Sequence, residues 1–444
     1  MSSPSSTEII SNDRANIHYL PGTKSMVSEV KPKVPVERLT VHMGKIALWG
    51  TDNLLPQRVN ADVRKTTELA SGLNWKAKAL ISGGLVYGTL TYDTDGVEKL
   101  VPKRDPKIDE WLKKTNIKRY LRESAYEFYK FGNQYTRMTL SRDRSMINEI
   151  CCMESMFTRL GLQDTNTGEI TRAYINANWD KIAWDGDNLT LEYPLIDPYY
   201  DAVQKTRTAK GYEFIYPISC VDSGNVYYQV APWNSVRESG WLEVAQLIPS
   251  FKKNLLKNQY TIKYHFQLSA DYWAWRFPEW ETLTAKQKAD AKSIVMKELD
   301  DFLKGEEQAG KNIMSIAQTD PVTKKLYPGL EIIAIDDKIK SGTYIEDSQE
   351  AAWHIMDALE IPESVKRAPS KTVGGGSGSN TRIAYNIYTV GSKPEADLIL
   401  EPLEFAFDYN GFHKPYESEG GLVIWLKNYW VAKLDEGKET QQQA

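Results

Sequence analysis

From Tyr344 to Tyr409 the sequence sets two helical patterns on either side of a basic, glycine-rich loop that no packed core can use. Ala352, Ile355, Met356 and Leu359 stand at the i, i+3, i+4, i+7 spacing of one helix face. The pattern stops at Ile361-Pro362, because proline lacks the amide that a further turn needs. The loop then brings Lys366, Arg367 and Lys371, followed by Gly374, Gly375, Gly376 and Gly378 among serines. Asn380 or Thr381 can cap a second helix that carries Arg382, Ile383, Ile387 and Tyr388. Its apolar spacing resumes at Ala396, Ile399, Leu400, Leu403 and Phe407, and Pro402 inside that face predicts a kink.

The chain of 444 residues is long enough for two or three cores, or for one elongated protomer. Hydrophobic residues at 41% and charged residues at 26% are ordinary for a protein that folds in water. No apolar run approaches the roughly 18 residues of a membrane span, and the first residues lack the apolar core of a secretion signal, so no membrane partner is expected. Cys151, Cys152 and Cys220 form no Cys-x-x-Cys pair, and the five histidines are scattered, so the reading is of reduced thiols with neither metal site nor cofactor. A formal charge of −4 argues against a protein that grips nucleic acid, which needs many uncompensated cations on one face. It leaves room for a conduit, since a mildly repulsive wall lets a polyanion slide.

Read along the chain, the class is α+β. Residues 1 to 45 are rich in Ser, Pro and Lys and read as a mobile arm. A helix over about Ala61 to Ile81 ends at Gly83-Gly84; a hairpin follows at Leu85 to Thr91 and Lys99 to Val101, and a second helix spans Ile117 to Phe131. Strand patterns then dominate: Tyr135 to Leu140, Met146 to Phe157, Thr171 to Ile175, Asn188 to Tyr193, Gly211 to Tyr216 and Val226 to Val230. Helical spacing returns from Trp241 to Lys257, with Pro249 predicting a bend, and alternation marks a strand at Tyr260 to Leu268. After Tyr272, Trp273, Trp275, Phe277 and Trp280 comes a helix from Thr284 to Leu303 carrying Ala289, Ile294, Leu299 and Phe302. A helix, a short β insert and a returning helix make a stalk with a tip. Strands at Asn312 to Ile316, Gly329 to Ile335 and Leu422 to Trp425 precede a polar tail from Asp435.

Enzyme signatures are missing. The glycine loop lacks the Gly-Lys-Ser/Thr ending of a phosphate cradle, G-x-S-x-G does not occur, and Asp300-Asp301, Glu306-Glu307 and Asp336-Asp337 suit solvated faces better than acid-base pairs. Thirteen Trp and 25 Tyr admit an alternative, a carbohydrate-binding or carbohydrate-active protein on the strand-rich half, although most of these aromatics fall at core positions. Trp273, Trp275 and Trp280 are too dense for a small tip to bury entirely, which suits either an interface or a local core. The loop cations suit either an ordinary solvated loop or one that touches phosphates without reading sequence.

Several steps of the sequence resemble the portal proteins of tailed bacteriophages, the head-tail connectors of that group. They are Thr51-Asp52-Asn53-Leu54-Leu55-Pro56, the Lys76 to Gly88 run, Phe131-Gly132-Asn133-Gln134-Tyr135, Leu359-Glu360-Ile361-Pro362 before the loop, and Leu398 to Leu403 after it. The resemblance covers roughly Trp49 to Trp425 in order of parts. It implies an arm (1–45), a strand-rich wing (46–238), a first stem helix (239–258), a small β clip (259–283), a second stem helix (284–304), wing return strands (305–343), channel helices (344–410) with a tunnel loop (363–380), and a C-terminal strand with a disordered tail (411–444). It further implies a ring of about twelve copies at one capsid vertex of the virion, assembled in the host cytoplasm. The implied partners are double-stranded DNA, the major capsid protein, the terminase motor and a head-tail adaptor, with no catalytic role. On that resemblance Lys366, Arg367, Lys371 and Arg382 would contact DNA, and Tyr272, Trp273, Trp275, Phe277 and Trp280 would form the clip interface.

Overall fold

A computed structural model describes residues 9–12, 15–18, 27–28, 42–92, 96, 98–180, 189–199, 202–259, 264–268, 270–304, 318–319, 326–327, 330–334, 343–362, 364–365 and 378–429. Near the N-terminus β1 (Ile9–Asn12), β2 (Ala15–His18) and β3 (Val27–Ser28) pair as an antiparallel meander, and β4 (His42–Met43) pairs with β5 (Ile46–Ala47). Strands this short give no readable alternation, which is why the composition of this segment suggested only an arm. The helix expected over 61–81 is two helices. α1 (Leu55–Lys65) opens with Pro56 in its first turn, where the missing amide costs nothing, and α2 (Thr67–Ile81) follows an extended Thr66. Next come the hairpin of β6 (Leu85–Tyr92) and β7 (Glu98–Pro102), α3 (Pro106–Lys114), and α4 (Ile117–Phe131).

The middle of the chain supplies β8 (Asn133–Leu140), β9 (Ile147–Met153), β10 (Thr158–Leu160), β11 (Arg172–Ile175), β12 (Leu191–Pro194), α5 (Ala202–Thr208), β13 (Glu213–Ser219), α6 (Ser235–Glu238) and α7 (Trp241–Gln259). Then follow β14 (Tyr264–Leu268), α8 (Ala270–Arg276), α9 (Ala285–Lys304), β15 (Gln318–Thr319), β16 (Leu326–Tyr327), β17 (Leu330–Ala334), α10 (Thr343–Ala358), α11 (Gly378–Gly391), α12 (Lys393–Asn410) and β18 (Leu422–Leu426). Helices and small antiparallel sheets alternate throughout, so the class is α+β. The chain divides into two compact units, Met1–Gln246 with Asp347–Ala444, and Leu247–Glu346.

In the larger unit three sheets, ordered β13-β8-β9, β18-β6-β7 and β10-β11-β12, surround helices. α12 is the central piece: Ile399, Leu400, Leu403, Ala406 and Phe407 are buried, and the helix packs on β13, β18, α4 and α5. Trp111, Phe407 and Phe412 meet edge to face at 5.3 to 5.7 Å, an arrangement the ring quadrupoles favour. Gly132 ends α4 with φ +70°, and a Cβ there would lie 2.7 Å from the Ala231 amide nitrogen, so both backbone and space demand glycine.

Val226 to Val230 is not a strand, contrary to its alternation. Asn133 holds it instead: the side chain donates to the Gln229 carbonyl at 2.7 Å and accepts from the Gln229 amide at 3.1 Å. One side chain thus replaces a strand neighbour, while the Tyr228 hydroxyl donates to the Ala47 carbonyl and accepts from the Leu160 amide, both at 2.8 Å.

The smaller unit departs further from expectation. β17 pairs with β14, from Leu330 with Leu268 to Ala334 with Tyr264, so this return strand belongs with the tip and not with the strand-rich unit. The strand expected in the tip is β14, and between it and α9 the aromatic run forms a helix, α8, to which no element had been assigned from the sequence. α9 opens on a reciprocal cap, in which the Gln287 carboxamide accepts from the Thr284 amide at 3.0 Å and the Thr284 hydroxyl accepts from the Gln287 amide at 3.5 Å. The buried face of α9 is Ala291, Val295 and Leu299; Ile294, expected on it, is 55% exposed and Ala289 is exposed too. Helices run on through Pro249 and Pro402. The strand expected at 312–316, the start of the one expected at 260, and the tail from Asp435 lie outside the described residues.

Candidate functional site

The base of the glycine loop is built on both sides. α10 buries Ala352, Ile355, Met356 and Leu359 as their spacing requires. It ends with Glu360 at φ +56°, its amide donating to the Asp357 carbonyl at 2.8 Å while the Ile361 amide reaches back to Met356 at 3.0 Å. This is a Schellman closure with glutamate where glycine is usual. On the far side the Thr381 hydroxyl donates to the Ser364 carbonyl at 3.2 Å, so the chain leaves and re-enters the fold at one place. Lys366, Arg367, Lys371, Gly374, Gly375 and Gly376 lie outside the described residues. Gly378 is the first residue of α11, and Arg382 is half-buried on its second turn.

A charged cluster fastens this base to the rest of the larger unit. Lys76 of α2, almost fully buried, meets the Glu360 carboxylate at 3.5 Å and sits 4.7 Å over the Tyr129 ring. Tyr388 of α11 packs on Trp75 at 4.8 Å, and Glu395 of α12 has a buried carboxylate oxygen without a hydrogen-bond partner. Burial raises the Glu395 carboxyl above its ordinary range, against the pull of Lys76. Because the folded pKa exceeds the unfolded one, this group's contribution to stability is full below the ordinary carboxylate pKa and is lost as pH rises through the folded value. Glu395→Gln is therefore expected to keep or raise the melting temperature at pH 7.5 and to shrink the gain that wild type shows on moving to pH 5.5. Thermal unfolding at the two pH values checks this.

Farther along α12, Glu401 accepts from the Tyr216 hydroxyl at 2.7 Å beside Pro402. Burial and that carboxylate push the Tyr216 phenol well up, so it stays a neutral donor. Nothing in this polar set offers a nucleophile paired with a base. Among the described residues no cluster of His, Cys, Asp and Glu suits a metal ion. Cys151, Cys152 and Cys220 are unpaired, and burial holds the Cys220 thiol up at about 11.

In the smaller unit the aromatic run is partly consumed locally. Trp273 stacks on Trp280 at 5.1 Å, with Lys292 and Lys288 of α9 over the two rings, and Phe277 stacks on Trp280 at 6.1 Å. Tyr272 leans on Trp273 and Trp275, and Trp275 remains 43% exposed. Trp273 and Trp280 are thus half-buried against each other, and Trp275 faces solvent.

The hub under Asn53 has no signature in the sequence. Arg159 is fully buried with no acidic partner among the described residues, donating to the Asn53 carbonyl at 2.7 Å and the Thr158 carbonyl at 2.7 Å and lying over the Trp49 and Trp179 rings. Asn53, at φ +63°, turns its side-chain oxygen to the Trp49 amide and to Arg159. This explains the Trp49 to Pro56 step physically: it is the wall of a cation pocket.

No family model matches the sequence, and no curated protein matches it. Solved structures do. A chain in the neck of an empty gene transfer agent particle, computed with C6 symmetry, superposes with a TM-score of 0.55 at 12% identity over 89% of this chain and 87% of that one. The fold is shared. A chain in the virion of the native gene transfer agent particle gives 0.53 at 12% identity over 89% and 88%, and one in the native neck, computed with C12 symmetry, gives 0.50 at 13% over 78% and 81%. The resemblance read from short sequence steps thus has a counterpart in the fold of most of the chain.

Proposed function

We propose that the chain is a portal subunit, a structural protein of a phage-like particle that assembles as a ring at the head-tail junction and conducts the genome. The observation that carries this reading is the likeness, over 89% of the chain, to a chain from the neck of a gene transfer agent particle. Necks computed with C6 and C12 symmetry support a closed ring of about twelve copies. The portal-like sequence steps support it too, and within them Asn53, Gly132 and Asn133 each hold the backbone of this chain in place.

In this reading residues 46–238 form the wing, α7 and α9 the two stem helices, and the segment with β14 and α8 the clip. β17 is assigned to the clip side because of its pairing. α10, α11 and α12 frame the tunnel loop, whose Lys366, Arg367 and Lys371 touch passing phosphates as point charges. Trp275 is the exposed member of a clip surface for the terminase motor and, later, a head-tail adaptor, while the wing meets capsid protein. The chain itself does no chemistry; the packaging ATPase is a separate protein. With −4 per copy, twelve copies carry on the order of −50, a wall along which DNA slides. A carbohydrate site on the strand-rich half finds no support, since its aromatics are mostly spent in the core.

Removing the chain from particle assembly tests this. Capsid shells should still form but hold no DNA, and complete particles should contain about twelve copies of the chain. DNA-filled shells made without it would end the portal reading.

A further inference from the structure

α11 is amphipathic in reverse. Its inward side carries Tyr388 and Thr389, both buried, whereas Ile383, Ile387 and Val390, at i, i+4, i+7, are 50%, 66% and 58% exposed. Arg382 is the helix's one charged residue. A helix that turns hydroxyls to its own core and three aliphatic side chains outward is built for a second protein surface. The exposed face of α10 has the opposite character. Glu350, Trp353 and Asp357 share one stripe, with the Trp353 ring 42% exposed between the two carboxylates. Arg382, Glu350 and Asp357 form no ion pair among the described residues.

Resting on the ring reading above, we propose that the occupant of the α11 stripe is a second copy of this chain, seated through its α10 stripe. Trp353 enters the surface made by Ile383, Ile387 and Val390, and Arg382 pairs with Glu350 or Asp357 across the contact. The charges are complementary, and the two stripes differ from each other. The contact is therefore heterologous, the kind that rotation closes into a ring and that a twofold dimer does not use. An exposed tryptophan flanked by carboxylates is the type of anchor that dominates such interfaces, and the lone arginine fixes register.

Cross-linking tests the assignment. In the full chain carrying Trp353→Cys together with Ile387→Cys, oxidation should give a ladder of dimers, trimers and higher species on a denaturing gel, while either single variant gives none beyond wild type. Ile387→Asp should lower the ring fraction at least tenfold at fixed concentration, with the monomer's thermal unfolding unchanged because the residue is exposed. Rings that persist in Ile387→Asp, with no ladder in the double variant, overturn the contact and leave the portal reading standing. Dimers from Ile387→Cys alone would mean that α11 meets α11, which also overturns it. A wild-type protein that forms no rings removes the portal reading and this contact with it.

Discussion

Arg159→Leu is expected to destabilise the larger unit by about 3 to 5 kcal/mol, the greatest loss of any single replacement considered. The guanidinium satisfies the carbonyls of Asn53 and Thr158, the Met156 carbonyl at 3.2 Å and the Asn53 side chain, all in a pocket closed by Trp49 and Trp179. Leucine fills part of the volume and satisfies none of them, and each orphaned buried acceptor costs roughly 1 to 3 kcal/mol. Burial pulls the Arg159 pKa down to about 10, the direction expected when a charge is taken out of water. Lysine keeps the charge but cannot reach several acceptors at once, so Arg159→Lys should recover only a minor part. Urea unfolding measures both. A loss below about 1 kcal/mol for leucine would mean that the pocket accepts water in place of the guanidinium.

The second large effect concerns the loop. Deleting Gly374 to Ser379, or neutralising Lys366, Arg367 and Lys371 together, should leave rings intact and cut the DNA retained in particles severalfold. Rings are spared because the Schellman closure at Glu360 and the Thr381–Ser364 hydrogen bond fix the loop's ends without its tip. In the portal reading retention falls because these cations contact phosphates at any sequence and slow slippage, an interaction that salt weakens. Genome content per particle, compared at low and high salt, is the measurement. Full genomes retained at normal efficiency would make the loop a connector only.

How far the sequence disclosed all this depended on the kind of interaction. α4 and the buried face of α10 were legible because one long helix against one core gives a clean periodic signal. Val226 to Val230 misled because alternation reports burial on one side, and here Asn133 supplied the partner that a strand would have had. On α9 and α11 the expected faces included Ile294, Ile383 and Ile387, which are exposed, since spacing alone does not say which apolar positions a core covers. The Arg159 hub was invisible because its partners are backbone carbonyls, which every residue carries. The aromatics between β14 and α9 were legible as a cluster, but which ring remained exposed depended on the helix α8 and the lysines of α9.

Native mass spectrometry of the purified full chain, with negative-stain images of the same sample, tests the central claim most directly. The portal reading expects at micromolar concentration a closed species near twelve times the 50.6 kDa chain mass, seen end-on as a ring with a central hole. A strictly monomeric protein across salt and concentration, forming no ring even when capsid protein is added, would contradict it.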